Sequence, residues 1–132
     1  VSLPRINSVV AVFIGGAIGS IARYGVGFGL ASSTISASYL ELSMTMIVNL
    51  SGALLLGFVS AASFFSIGNR RAFFGTGLAG GFTTMSGVAL ITAGSDYGLG
   101  PNALLYWSLI VLQFVLGYFA YAIGYKILGS VK

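Results

Sequence analysis

Phe74-Gly75-Thr76-Gly77-Leu78-Ala79-Gly80-Gly81-Phe82-Thr83-Thr84-Met85-Ser86-Gly87 is the stretch on which the fold turns. It lies in an apolar segment of bilayer-crossing length, yet it carries five glycines and a threonine pair. Glycine in a helix interior costs roughly 1 kcal/mol relative to alanine, so this is a weak helix where a strong one is needed. Small residues let neighbouring helices approach backbone to backbone, as in GxxxG interfaces. The sharper reading is a helix broken in mid-membrane. Unwound backbone at that depth is tolerated only inside protein or beside a water-filled cavity. Freed carbonyls there bind a cation, and helix ends face an anion. Gly75, Gly77 and Gly80 also spell GxGxxG, with Asp96 near the spacing of a ribose-binding acid. No strand–helix alternation surrounds them, which excludes a dinucleotide site.

Outward from this run, three more apolar segments are each long enough to span a bilayer, for which roughly 20 residues suffice. The spans are placed at 7–30, 44–65, 72–92 and 102–128, making residues 1–132 a single all-α membrane domain. Composition agrees: 57% of residues are hydrophobic, only 6% are charged, and the mean hydropathy is +1.00. A soluble domain carries about 25% charged residues, so these few cannot clothe a water-soluble globule. The first span is read as retained rather than as a cleaved signal, because Arg23-Tyr24 follows it without a cleavage site. There is no cysteine and no histidine, and the only carboxylates, Glu41 and Asp96, fall in loops or at helix ends. The usual acid–base, thiolate and metal-ligand chemistry is thus missing, and an enzyme is not expected. The net charge of +4 is scattered rather than clustered, which argues against nucleic acid.

The basic residues instead report orientation. With an even number of spans, Arg5, Arg70, Arg71, Lys126 and Lys132 share one side, and Arg23 lies on the other with Glu41 and Asp96. Positive charge stays in the cytoplasm, so both termini are expected there. A bias of five to one is too strong for a chain that inserts equally both ways.

Three further features admit two readings each. Asn49 shares a helical stripe with Thr45, Gly52 and Ala53; a buried asparagine must find a partner, either across helices or in an ion path. Arg23 either snorkels to the interface beside Tyr24 or gives a vestibule positive potential. Tyr106, Gln113, Gly117 and Tyr121 share one face of the last span, lining a pore or locking helices together.

Taken together, Gly15-Gly16-Ala17-Ile18-Gly19-Ser20-Ile21-Ala22-Arg23-Tyr24, Asn49-Leu50-Ser51-Gly52-Ala53-Leu54-Leu55-Leu56-Gly57 and Gly80-Gly81-Phe82-Thr83-Thr84-Met85-Ser86 resemble the Fluc (CrcB) family of fluoride channels. The resemblance covers nearly the whole chain. It implies an antiparallel, dual-topology dimer whose broken third helices cross at the centre. It also implies a structural sodium ion there, held by the main-chain carbonyls of Gly80 and Thr83 from both subunits. Fluoride in such channels passes along the dimer seam, meeting an asparagine that matches Asn49, threonine and serine hydroxyls at Thr84 and Ser86, and the edges of two phenylalanines. Ring edges carry positive partial charge and face an anion without trapping it.

One departure matters. The family pattern after the threonine pair is Phe-Ser-Thr-Phe, whereas this chain reads Met85-Ser86-Gly87-Val88, so both aromatic positions are lost. Together with the charge bias, this points to a heterodimer with a paralogue that supplies the opposite orientation and the missing rings. Rival readings are a small dual-topology multidrug transporter, which needs a membrane-embedded carboxylate, and a non-transporting membrane scaffold.

Overall fold

The computed structural model describes residues 6–32, 37–93 and 100–129. Arg5, Asp96 and Lys132 lie outside the described residues. The described chain is helical, with four segments long and apolar enough to cross a membrane: Asn7–Ala31, Tyr39–Ala61, Gly68–Ala93 and Ala103–Gly129. The chain is an all-α, multi-pass membrane protein. Three of the spans are continuous α-helices, Ile6–Ala31, Ala37–Ala61 and Ala103–Gly129. The third is composite. A turn of α-helix, Gly68–Arg71, runs into a π-helix, Ala72–Ala79, then into Gly80–Phe82; after a break the chain resumes as Met85–Ala93.

The second helix differs from expectation at both ends. It begins at Ala37 and stops at Ala61, because Ala62 turns extended (φ −80°, ψ 126°) and Ser63–Ser66 forms a 3₁₀ turn. Glu41, expected outside the helices or at an end, therefore lies in the second turn of this helix. Tyr39, Leu40 and Leu42 around it are apolar enough to extend the helix past a single charge.

Glycine contacts assemble the bundle. Gly15 and Gly19 on the first span meet Gly77 and Gly81 on the third, four residues apart on each side. A β-carbon on Gly77 would lie 2.8 Å from the Val12 carbonyl oxygen and 3.0 Å from the Gly15 Cα, and one on Gly15, Gly19 or Gly81 would overlap the opposing backbone. Both readings of the glycine-rich run hold at once: the helix packs through its glycines and it breaks. Its other face, Gly75 and Ala79, is buried too, with Val59 and Leu56 3.5 and 3.8 Å from where a Gly75 β-carbon would sit. Buried between two helices, this segment takes the wider π turn, which sparse side chains permit.

The second and fourth spans make the most extensive helix pair, with Gly57 and Gly124 each pressed on the other's backbone. Leu42, Val88, Ile91, Tyr106 and Ile110 form a buried cluster at one end of this pair, where Tyr39 stacks on Tyr106 at 6.2 Å. Tyr106 is thus packed between helices. The Ser8 hydroxyl lies 2.9 Å from the Asn69 Oδ1, which puts the start of the first span on the same side as the second connection. Arg70 stays with that connection, 4.0 Å above the Phe64 ring. Large apolar side chains such as Phe13, Ile21, Phe28 and Leu104 point outward, as they do where lipid is the solvent.

Gly15→Val is expected to weaken the fold by about 2 kcal/mol or more, since the facing backbone cannot yield as a side chain would. Gly25→Ala, with nothing described near its β-carbon, is expected to be neutral or stabilising by up to ~1 kcal/mol. Denaturation followed through the fluorescence of the single tryptophan, Trp107, would compare the two; equal losses would discount the glycine interface.

Candidate functional site: a helix break between two cavities

The break falls at Thr83 and Thr84. Thr83 is extended (φ −74°, ψ 162°), so the helix ending at Phe82 and the helix starting at Met85 are separate dipoles meeting in mid-span. One contributes the carbonyls of a C-terminus and the other the amides of an N-terminus. Backbone freed here must be satisfied by protein, and four side chains do this.

Asn49, from the second span, grips Thr84 twice. Its Nδ2 donates to the Thr84 carbonyl at 3.0 Å, and its Oδ1 accepts from the Thr84 N–H at 2.8 Å. Arg23, from the first span, donates from Nη1 to the Thr83 carbonyl at 3.0 Å. Arg23 lies within the helix Ile6–Ala31, and this bond directs its guanidinium to the break. Thr83 turns its hydroxyl back to the Ala79 carbonyl at 3.0 Å. Thr84 caps the following helix: its Oγ1 accepts from the Gly87 N–H at 3.0 Å, an N-cap to third-residue bond. Gly52 leaves room for this, because a β-carbon there would overlap the Thr83 methyl group.

Two cavities flank the break. A groove of about 540 Å³ between the second, third and fourth spans is lined in part by Asn49, Gly80, Thr83, Thr84, Met85 and Gln113. A vestibule of about 400 Å³ on the other side is lined by Arg23, Glu41, Met44, Thr45, Thr84, Ser86, Gly87 and Leu90. Thr84 lines both. Its hydroxyl lies 3.0 Å from that of Ser86. Whichever of the pair donates, one hydroxyl proton is left over, because two hydroxyls carry two protons and the bond between them uses one; the Thr84 oxygen also accepts from Gly87.

The expected site residues therefore divide. Asn49, Thr84, Gly80, Thr83 and Met85 meet at the groove; Arg23, Thr84 and Ser86 meet at the vestibule. Val88 joins neither; it is buried in the cluster beside Tyr106. Asn49 lines the groove, and its amide makes the bond across helices, to the backbone of Thr84. Gln113 is buried, and its Oε1 has no hydrogen-bond partner among the described residues. Sequence reasoning did not single out Ser20, whose hydroxyl reaches the Gly81 carbonyl at 3.4 Å. Its spacing of three from Arg23 places both on one helix face, which was the available signal.

For a hard cation such as sodium, main-chain oxygens are suitable donors. Gly80 fits: it lines the groove, and none of the described residues comes within 4 Å of its would-be β-carbon. Its carbonyl receives a long 3.4 Å contact from the Thr83 hydroxyl. The Thr83 carbonyl fits through its second lone pair alone, the first being engaged by Arg23.

Asn49→Ala is expected to leave the Thr84 N–H and carbonyl unpaired, at about 2 kcal/mol or more. Hydrogen exchange at the Thr84 amide in lipid nanodiscs would then accelerate roughly 30-fold relative to amides of the fourth span. Unchanged protection would show that another group holds the break.

Comparison with known proteins places this arrangement. Residues 10–125 match the family described as CrcB-like protein, camphor resistance (CrcB). The chain is 42% identical over 100 residues to the fluoride-specific ion channel FluC 2 of Bacillus subtilis strain 168, covering 73% of this chain and 70% of that one. It is 33% identical over 125 residues to a fluoride-specific ion channel FluC of Thermus thermophilus, covering 89% and 95%. A third relative, the fluoride-specific ion channel FluC 1 of Methanospirillum hungatei, is 37% identical over 102 residues, covering 74% of this chain and 65% of its own. No solved structure matches the chain significantly. Motif, fold and relatives agree: the chain belongs to the CrcB family of membrane proteins.

Proposed function

We propose that this chain is one subunit of a fluoride-selective channel that lets fluoride leave the cell passively, and that it works with a paralogous subunit inserted in the opposite sense. The observation that carries the reading is the clamped break, at which one residue, Thr84, touches both cavities. An anion moving between them must pass the amide end of Met85–Ala93, the positive end of its dipole. The Thr84–Ser86 pair has a spare hydroxyl proton beside the same amides. Fluoride is small and tightly hydrated, so aligned donors must replace its water. Neutral donors do so without the deep trap a lysine would make.

Arg23 contributes charge. Its guanidinium is anchored on Thr83, so it biases the vestibule toward anions without entering the path. Sodium at the break would be held by the carbonyl oxygens of Gly80 and Thr83, with matching oxygens from the second subunit completing its shell. When bound it supplies fixed positive charge between two helix C-termini. Asn49 orients Thr84 for both purposes.

The partner is inferred from two features. Met85 reaches the groove where the family has a phenylalanine, so this chain offers no ring edge there. The five-to-one basic bias favours a single orientation, with both termini on the cytoplasmic side of the plasma membrane. The numbers in names such as FluC 1 and FluC 2 among the relatives support paired genes. An antiparallel mate seated on the groove would cover its apolar lining. The multidrug-transporter reading needs a carboxylate at a span centre, and Glu41 in the second turn of its helix does not meet that need.

The decisive experiment is fluoride efflux from liposomes holding this chain alone, its paralogue alone, or both, with chloride as control. Efflux is expected only when both are present. Rapid efflux from this chain alone would remove the requirement for a partner, and no efflux from any combination would remove the channel.

A further inference from the structure

The vestibule holds one feature that anion capture does not explain. Glu41 is one of only two acids in the chain, and it lines the same 400 Å³ cavity as Arg23 and the Thr84–Ser86 hydroxyls. A carboxylate facing an anion's approach opposes it. Its solvent-exposed position would have been equally available to a neutral residue. Arg23 cannot simply swing to neutralise it, because the guanidinium is hydrogen-bonded to the Thr83 carbonyl that it helps to hold. The cavity therefore contains one fixed positive charge deep at the break and one negative charge toward the start of the second helix.

We propose that Glu41 is a rate-setting residue that keeps this vestibule close to electrical neutrality, so that Arg23 attracts anions only at short range. An anion outside the mouth sees two opposite charges whose fields largely cancel. An anion at the Thr84–Ser86 hydroxyls, beside the break on which Arg23 is anchored, is held. The arrangement lowers the accumulation of fluoride and chloride alike at the mouth while leaving the inner site intact. This inference rests on the channel reading above, and its test separates the two.

The chain has no cysteine, so a single reporter can be introduced cleanly. Leu90 lines the same cavity and is 62% exposed. In a Leu90→Cys background reconstituted with the paralogue, anionic and cationic methanethiosulfonate reagents would be compared for their rates of reaction. Removing a unit charge across a cavity of this size changes local ion concentration by about fivefold. Glu41→Gln is therefore expected to raise the anionic-to-cationic rate ratio roughly 20-fold at about 20 mM salt, with the effect nearly gone at about 1 M. Fluoride efflux at sub-saturating concentration is expected to rise about fivefold under the same low-salt condition. Chloride leak should rise with it, and Glu41→Asp should behave as wild type.

An unchanged reagent ratio would overturn the proposal whatever the efflux shows. A raised ratio with unchanged anion flux would also overturn it, since Glu41 would then set a potential that the path does not feel. If the wild-type pair passes no fluoride at all, the channel reading fails, and the reagent ratio still decides whether Glu41 balances Arg23.

Discussion

A peptide group stripped of its helical partner at membrane depth costs several kcal/mol unless protein satisfies it. This constraint organises the molecule. The third span abandons helical geometry at Thr83, and the burden falls on two neighbouring helices, which must deliver side chains to that spot. The first span delivers Arg23 to the Thr83 carbonyl, and the second delivers Asn49 to both polar groups of Thr84. A side-chain amide donates and accepts in one plane, and so it can replace both helical bonds of a single residue.

Delivery at that range explains the glycines. Asn49 is short, and it reaches Thr84 only because Gly52, one turn on, admits the Thr83 methyl group. On the opposite side, Gly15 and Gly19 let the first span lie against Gly77 and Gly81, which brings Arg23 and Ser20 over the end of the helix. Packing and breaking therefore depend on each other. Small residues allow the approach, and the approach supplies the partners that make the break tolerable.

The spans and the break were legible because they rest on composition: hydropathy is additive over a window, and glycine's cost in a helix is local. The partners were less legible, because they depend on how helices are rotated about their axes. Asn49 could be flagged as needing a partner, but nothing along the chain says that the partner is the backbone of Thr84. Glu41 was placed at the edge of its helix because a charge lowers any hydropathy window, although Tyr39 and Leu42 carry the helix past it. Val88 was grouped with the anion path through its place in the motif. It is instead buried against Tyr106 and Ile110. The π-helix Ala72–Ala79 had no signal beyond a scarcity of side chains.

The commitments at the break also limit which groups can meet an ion. The Asn49 carbonyl oxygen accepts from the Thr84 N–H and its amide nitrogen donates one hydrogen to the Thr84 carbonyl. Arg23 is anchored through one Nη1 hydrogen. What remains is the second amide hydrogen of Asn49, the other guanidinium hydrogens, one hydroxyl proton between Thr84 and Ser86, and the first amides of Met85–Ala93. The ring edge that would add to these donors is replaced by Met85. On the proposed channel reading, a second chain would contribute it. A copy of this chain would repeat the same deficiency at every pore, and its basic residues would resist the inverted orientation. On the proposed reading, a paralogue with reversed charge bias and intact phenylalanines would meet both needs with one set of differences, making the missing ring edge and the orientation bias two consequences of the same pairing.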